Sequence, residues 1–85
     1  VSYNVVIANS VQKVIKKMDK PTRERIIKRI KELQKSPWAG DVKPLKGLPG
    51  ELRTRVGDWR IIYSIDSDQL IIIILKVSSR GDAYK

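Results

Sequence analysis

The stretch from residue 52 to residue 77 leaves this chain the least freedom. Residues 52–56 (LRTRV), 59–65 (WRIIYSI) and 69–77 (QLIIIILKV) are rich in β-branched and aromatic side chains, with only Gly57-Asp58 and Asp66-Ser67-Asp68 between them. Those are turn residues at hairpin spacing, so the segments are expected to form a three-stranded antiparallel meander. Within the last segment, residues 71–75 carry no polar face, the pattern of a central strand covered on both sides. A chain of 85 residues buries only about 60 to 65% of its unfolded surface, which leaves room for one sheet and one helical layer.

The helical layer precedes the meander. Residues 3–8 (YNVVIA) are short and β-branched and suit a first strand, although nothing in the sequence fixes where it joins the sheet. Asn9 and Ser10 offer an N-cap, after which Val11, Val14, Ile15 and Met18 recur at helical spacing with Lys13, Lys16 and Lys17 on the opposite side. Asp19 and Pro21 end that helix, and a second is expected from Pro21 through Ile26, Ile27, Ile30 and Leu33 until Pro37 stops it, the two forming an antiparallel hairpin. Residues 36–50 hold too much Pro and Gly for regular structure and are expected to be a loop crossing from helices to sheet. Residues 78–85 form a short polar tail. The expectation is a single α+β domain over residues 1–85, with the helices packed on one face of the sheet.

Charge narrows the function. Eighteen Lys and Arg against nine Asp and Glu give a formal net charge of +9, which favours a polyanionic partner: nucleic acid first, an acidic protein second, a membrane face third. A merely soluble basic surface is the plainer alternative. Histidine is absent, which excludes every mechanism that needs imidazole as acid, base or metal ligand, and cysteine is absent, which excludes disulfides and thiolate zinc sites. The longest apolar run, residues 70–75, is far short of the roughly 18 residues a membrane span needs, so a soluble protein is expected, and the absence of cysteine suits a reducing cytoplasm.

A two-residue Gly57-Asp58 loop would pair Val56 with Trp59, Arg55 with Arg60, Thr54 with Ile61 and Arg53 with Ile62. Alternation then puts Leu52, Thr54, Val56, Trp59, Ile61 and Tyr63 on one face, toward the helices, while Arg53, Arg55 and Arg60 converge on the other. Like charges directly opposite one another destabilise a strand pair, so their retention points to a bound anion, for which phosphate is the natural match to guanidinium geometry. The alternative is a solvated basic face that keeps a strand edge soluble.

The run LKGLPGELRTRVGDWRIIY, the Ile-rich strand after it and the closing SSRGDAY resemble the RelE and ParE toxin superfamily: a Leu-Lys-Gly loop, an R-x-R-V-G-aromatic-R hairpin, a hydrophobic strand and an Arg-then-Tyr tail. The order of the preceding strand and helices matches too, so the similarity covers essentially the whole chain. In the RelE branch the resemblance implies a ribosome-dependent endoribonuclease toxin that cuts mRNA in the A site without metal or cofactor and is neutralised by an acidic, RelB-like antitoxin. Its functional positions fall on Arg53, Arg55, Arg60, Arg80 and Tyr84; Lys43, Lys46, Lys76 and Lys85 are candidates for RNA-backbone contact only, the alternative for each being a plain solvated lysine. The strand positions at Arg53 and Arg55 are lysines in the best-known branch, and arginine, with a pKa above about 12, is a poor proton acceptor. That leaves the base open, with Tyr84 the better candidate. A ParE-like inhibitor of DNA gyrase, without nuclease chemistry, is the alternative the same resemblance implies.

Overall fold

The computed structural model describes residues 2–38, 42–45, 47 and 50–79. Its elements are β1 (Asn4–Ile7), α1 (Asn9–Lys16), α2 (Lys20–Lys35), β2 (Val42–Pro44), β3 (Glu51–Val56), β4 (Trp59–Asp66) and β5 (Ile71–Ser79). All five strands join one sheet in the order β1-β5-β4-β3-β2. The expected α+β architecture and the meander of β3, β4 and β5 are both present, each pair antiparallel.

The sheet is wider and more mixed than a meander. β1 lies parallel to β5, Asn4 opposite Ile71 and Ile7 opposite Ile74. β2 falls in the region expected to be loop and pairs antiparallel with β3. Three residues are too few to show alternation, and Pro44 is tolerated there because β2 is an outer strand, where a missing N–H need not break a ladder. The start of β5 is also later than expected: Asp66 Oδ1 accepts hydrogen bonds from the backbone N–H groups of Asp68 and Gln69, both at 3.1 Å, which keeps Gln69 in the turn.

At α1 the expected cap is corrected. Asn9 and Ser10 lie inside the helix, Ala8 holds the N-cap position without a side-chain hydrogen bond, and the Ala8 carbonyl accepts from Val11 and Gln12 at 2.9 and 3.0 Å. α2 has the side-chain cap instead: Asp19 accepts from the Thr22 N–H at 3.4 Å, and hydrogen bonding to the Thr22 side chain first, with this backbone bond adding to it, holds the Asp19 carboxyl below its ordinary pKa. Pro21 falls in the first turn, where its fixed φ suits the helix, and the helix ends before Pro37.

α1 packs on β5 and α2 on β3. Val11, Ile15, Ile26, Ile30 and Leu33 from the helices meet Leu52, Ile61, Tyr63, Ile72, Ile74 and Val77 from one face of the sheet. Tyr63 is fully buried, and its hydroxyl donates to the Pro37 carbonyl at 2.6 Å, so the polar end of a core side chain is satisfied while tying the end of α2 to β4. Burial pushes the Tyr63 phenol up to about 12, against a smaller opposing influence from Arg29. β5 is internal by its edges but not by its faces: Ile72 and Ile74 are fully buried, whereas Ile71 and Ile73 are half-buried and Leu75 is exposed. Among the described residues, no helix is long and apolar enough to cross a membrane.

Candidate functional site

The β3–β4 turn sets the site. Gly57 has φ +60°, the left-handed region that glycine enters freely, and Asp58 does not, the pattern of a type II′ hairpin. The register follows as expected from the sequence, with Arg55 opposite Arg60 and Arg53 opposite Ile62. Leu52, Thr54, Val56, Ile61 and Tyr63 are buried toward the helices and Trp59 is half-buried, so Arg53, Arg55 and Arg60 take the far face.

Cross-strand pairing extends that face into two rows. One runs Lys43, Arg53, Ile62 and Lys76 across β2, β3, β4 and β5; the other runs Arg55, Arg60 and Ser78 across β3, β4 and β5. With strands about 4.8 Å apart and same-face residues about 6.6 Å apart along a strand, five cations fall within roughly 15 by 7 Å. Two of the candidate backbone-contact lysines, Lys43 and Lys76, thus share the face with the arginines.

Lys76 reaches this face because of a β-bulge. The register between β4 and β5 shifts between Ile62 and Tyr63, which pair with Lys76 and Ile74 and leave Leu75 without an opposite residue. Strict alternation outward from the buried Ile74 would turn Lys76 toward the core and Val77 away from it. The extra residue reverses both, so Val77 is buried at 4% exposure and Lys76 is exposed.

The arginines differ in setting. Arg55 is exposed and Arg53 half-buried, and among the described residues neither has an ion pair or side-chain hydrogen bond; Glu51, two positions from Arg53, is the acidic member of that face of β3. Arg60 is only 8% exposed and is engaged in a contact of its own within the fold. Beside it, Ser78 is buried with its hydroxyl unpartnered. Such a cluster can hold phosphate oxygens and stabilise charge developing on them. Lys46, Arg80, Tyr84 and Lys85 lie outside the described residues.

A second basic feature has no counterpart among the residues expected from the sequence. A cleft of about 300 Å³ between α2 and the end of β3 is lined by Arg25, Lys28, Arg29, Glu32, Arg55, Val56 and Gly57. Arg29 is fixed there: its Nη1 donates to the buried Thr54 hydroxyl at 2.7 Å and its Nε meets Glu32 Oε1 at 3.2 Å. The spacing of residues 25, 28, 29 and 32 along the polar side of α2 was the available signal.

A family model described as the ParE toxin of the type II toxin-antitoxin system parDE matches residues 5–84. The chain is 35% identical over 86 residues to the protein named "Putative toxin RelE1" of Methanocaldococcus jannaschii, an alignment covering 98% of this chain and 96% of that one. The archaeal RelE-RelB complex from Pyrococcus horikoshii OT3 superposes with a TM-score of 0.82 at 31% identity, covering 95% of this chain and 98% of that one. The RelB-RelE antitoxin-toxin complex from Methanococcus jannaschii superposes at 0.75 and 30% identity, covering 93% and 94%. The chain belongs to the RelE/ParE toxin superfamily. Within it, these likenesses make it a RelE-family toxin of a toxin-antitoxin system.

Proposed function

We propose that this chain is a ribosome-dependent endoribonuclease that cleaves mRNA in the A site and so stops translation. The observation that supports it is the two-row basic face, in which Arg55 and Arg60 stand directly opposite each other. Cross-strand like charges cost stability unless an anion joins them, and a scissile phosphate is such an anion. In the proposed reaction the 2′-hydroxyl oxygen bonds to the adjacent phosphorus and the bond from phosphorus to the 5′-oxygen breaks, leaving a 2′,3′-cyclic phosphate. Tyr84 takes the 2′-hydroxyl proton, and Arg60 and Arg80 hold the charge on the phosphorane oxygens. Arg80 also serves as the close cation for the departing 5′-oxygen, which takes a proton from water to leave as the 5′-hydroxyl. Arg53 and Arg55 position the backbone, with Lys43, Lys46, Lys76 and Lys85 as outer contacts.

No metal or cofactor enters this scheme. Lowering a phenol from about 10 to about 7 requires roughly 4 kcal/mol of differential stabilisation, which neighbouring guanidiniums act to supply. A base this weak works slowly on free RNA, which is why the ribosome's orientation of the codon matters. The partner in the resting state is an acidic RelB-like antitoxin that covers the arginine face, a reading supported by relatives solved in complex with RelB.

The test is induction in a bacterial host with 5′ ends mapped on translated and untranslated copies of one message. Cuts within codons that depend on translation are expected, and Arg80→Ala and Tyr84→Phe each slow them while ribosome binding persists. Full activity in either variant removes that residue's role. The match to a ParE toxin model favours a second reading, a gyrase inhibitor, which predicts growth arrest with intact messages and damaged DNA.

A further inference from the structure

We infer that the cleft between α2 and the β3–β4 turn is a second anion subsite, built for a backbone phosphate that flanks the scissile linkage on the same RNA strand. The identity of this anion rests on the endoribonuclease reading; the existence of the subsite rests on the cleft.

Its two walls come from different elements. Ile26, Ile30 and Leu33 turn one side of α2 into the core, which leaves Arg25, Lys28, Arg29 and Glu32 as a stripe beside the end of β3. The ladder between β2 and β3 ends where Val42 meets Thr54, so among the described residues no strand covers the outer edge of β3 at Arg55 and Val56, the edge away from β4. Glu32 is committed to Arg29, and Arg29 is held further by Thr54. Arg25, Lys28 and Arg55 therefore line one cleft with no carboxylate partner among the described residues.

Gly57 lets this arrangement close. A Cβ built at that position would lie 2.8 Å from Arg25 Nη2 and 3.3 Å from Nη1, so the guanidinium lies across the bare backbone of the turn. The volume of about 300 Å³ corresponds to roughly ten water molecules, enough for a phosphate with part of its sugar. Arg25 and Lys28 bring two unneutralised cations to this space and Arg55 borders it from the edge of the sheet; like charges so close repel one another, and guanidiniums grip phosphate oxygens in pairs.

Arg55 gives the reason to assign the cleft to an RNA strand rather than to an isolated anion. It lines the cleft and stands opposite Arg60 on the sheet. A strand whose scissile phosphate lies on the sheet face has its next phosphates led along Arg55 toward Arg25 and Lys28. A regularly spaced polyanion fits that path better than a protein segment whose acidic side chains must be matched one by one.

The test measures binding alone, with the full chain and a short fluorescein-labelled RNA methylated at every 2′-hydroxyl, which removes the nucleophile. Anisotropy titrations across a salt series compare wild type, the double variant Arg25→Gln/Lys28→Gln, and a control with the same charge loss on α1, Lys13→Gln/Lys16→Gln. The cleft variant is expected to bind about tenfold more weakly at low salt, and its log–log salt slope to fall by about 1.4, for two lost phosphate contacts on a single strand. The α1 control should move less than half as far.

Equal losses in the two variants overturn the subsite while leaving the nuclease reading intact, as does a loss of affinity for polyglutamate greater than that for RNA. The latter assigns the cleft to an acidic protein. Absence of RNA binding by wild type overturns the subsite, whereas binding with the expected pattern but no cleavage of translated messages overturns the nuclease reading and keeps the subsite.

Discussion

Arg55 and Arg60 are directly opposite, yet truncating them should give opposite results. Arg55 is exposed and without an ion pair among the described residues, so Arg55→Gln removes a repulsion and is expected to leave stability unchanged or raise it by up to about 0.5 kcal/mol. Arg60 is buried, and Arg60→Gln strips packing and orphans its contact, at a cost of about 2 to 4 kcal/mol. Urea melts decide it: a larger loss for Arg55→Gln than for Arg60→Gln would mean that the exposed arginine carries structural weight. Activity lost in Arg55→Gln can therefore be assigned to RNA contact, while loss in Arg60→Gln must first be separated from unfolding. Tyr63 offers a pH test. Its phenol is raised to about 12 in the fold against about 10 in an unfolded chain, so the fold favours the neutral form. The stability this gives is complete below pH 10 and is lost as pH climbs from 10 through 12. Tyr63→Phe should cost about 1 to 2 kcal/mol at neutral pH, because the Pro37 carbonyl loses its donor. It should also flatten the alkaline decline between pH 10 and pH 12; an undiminished decline would place its origin elsewhere.

Elements differ in how far residue types reveal them. β3, β4 and their shared turn were legible because Gly57-Asp58 permits only a tight reversal, and a two-residue loop fixes which side chains oppose which. That register is also why residue types alone suffice to sort the arginine face. The bulge could not be found the same way. Between Ile71 and Leu75 every side chain is apolar and satisfies either face, so nothing marks where an extra residue enters or that Lys76 will turn outward. β2 was missed because three residues beside a Pro and Gly-rich stretch show no alternation, and the α1 cap because Asn9 and Ser10 satisfy a local preference that the continuous chain from β1 overrides. The turn itself carries the element-scale prediction. Gly57→Ala introduces a side chain at φ +60° and drives its Cβ to 2.8 Å from Arg25 Nη2. The backbone penalty is about 1 to 2 kcal/mol, and Arg25 must also swing out of the cleft. Stability should fall by that amount, and binding of the methylated RNA should weaken beyond what unfolding explains. A variant as stable as wild type would show that the turn relaxes without strain.

Across the whole molecule the sequence declared its charge but not its closure. The parallel union of β1 with β5 joins residues from opposite ends of the chain, and nothing between Tyr3 and Ala8 names Ile71 to Ile74 as partner; the sheet closes only because the intervening helices bring the first strand beside the last. Charge, by contrast, acts without regard to register. The molecule measures 34 × 28 × 24 Å, and the Debye length is about 30 Å at 0.01 M salt but about 8 Å at 0.15 M. In dilute buffer nearly every one of the 18 cations therefore repels every other, whereas at 0.15 M each senses only neighbours such as those of the sheet rows and the α2 cleft. Salt should accordingly stabilise this protein, by about 1 kcal/mol or several degrees in Tm over that range. A short RNA added at constant ionic strength should raise Tm further, because it binds the folded arrangement of cations and not their unfolded scatter. The two increments separate general screening from a built anion site. If the RNA increment disappears once free salt reaches 0.15 M while the salt increment remains, the cations act only as a diffuse cloud, and neither the sheet face nor the cleft holds a phosphate in place.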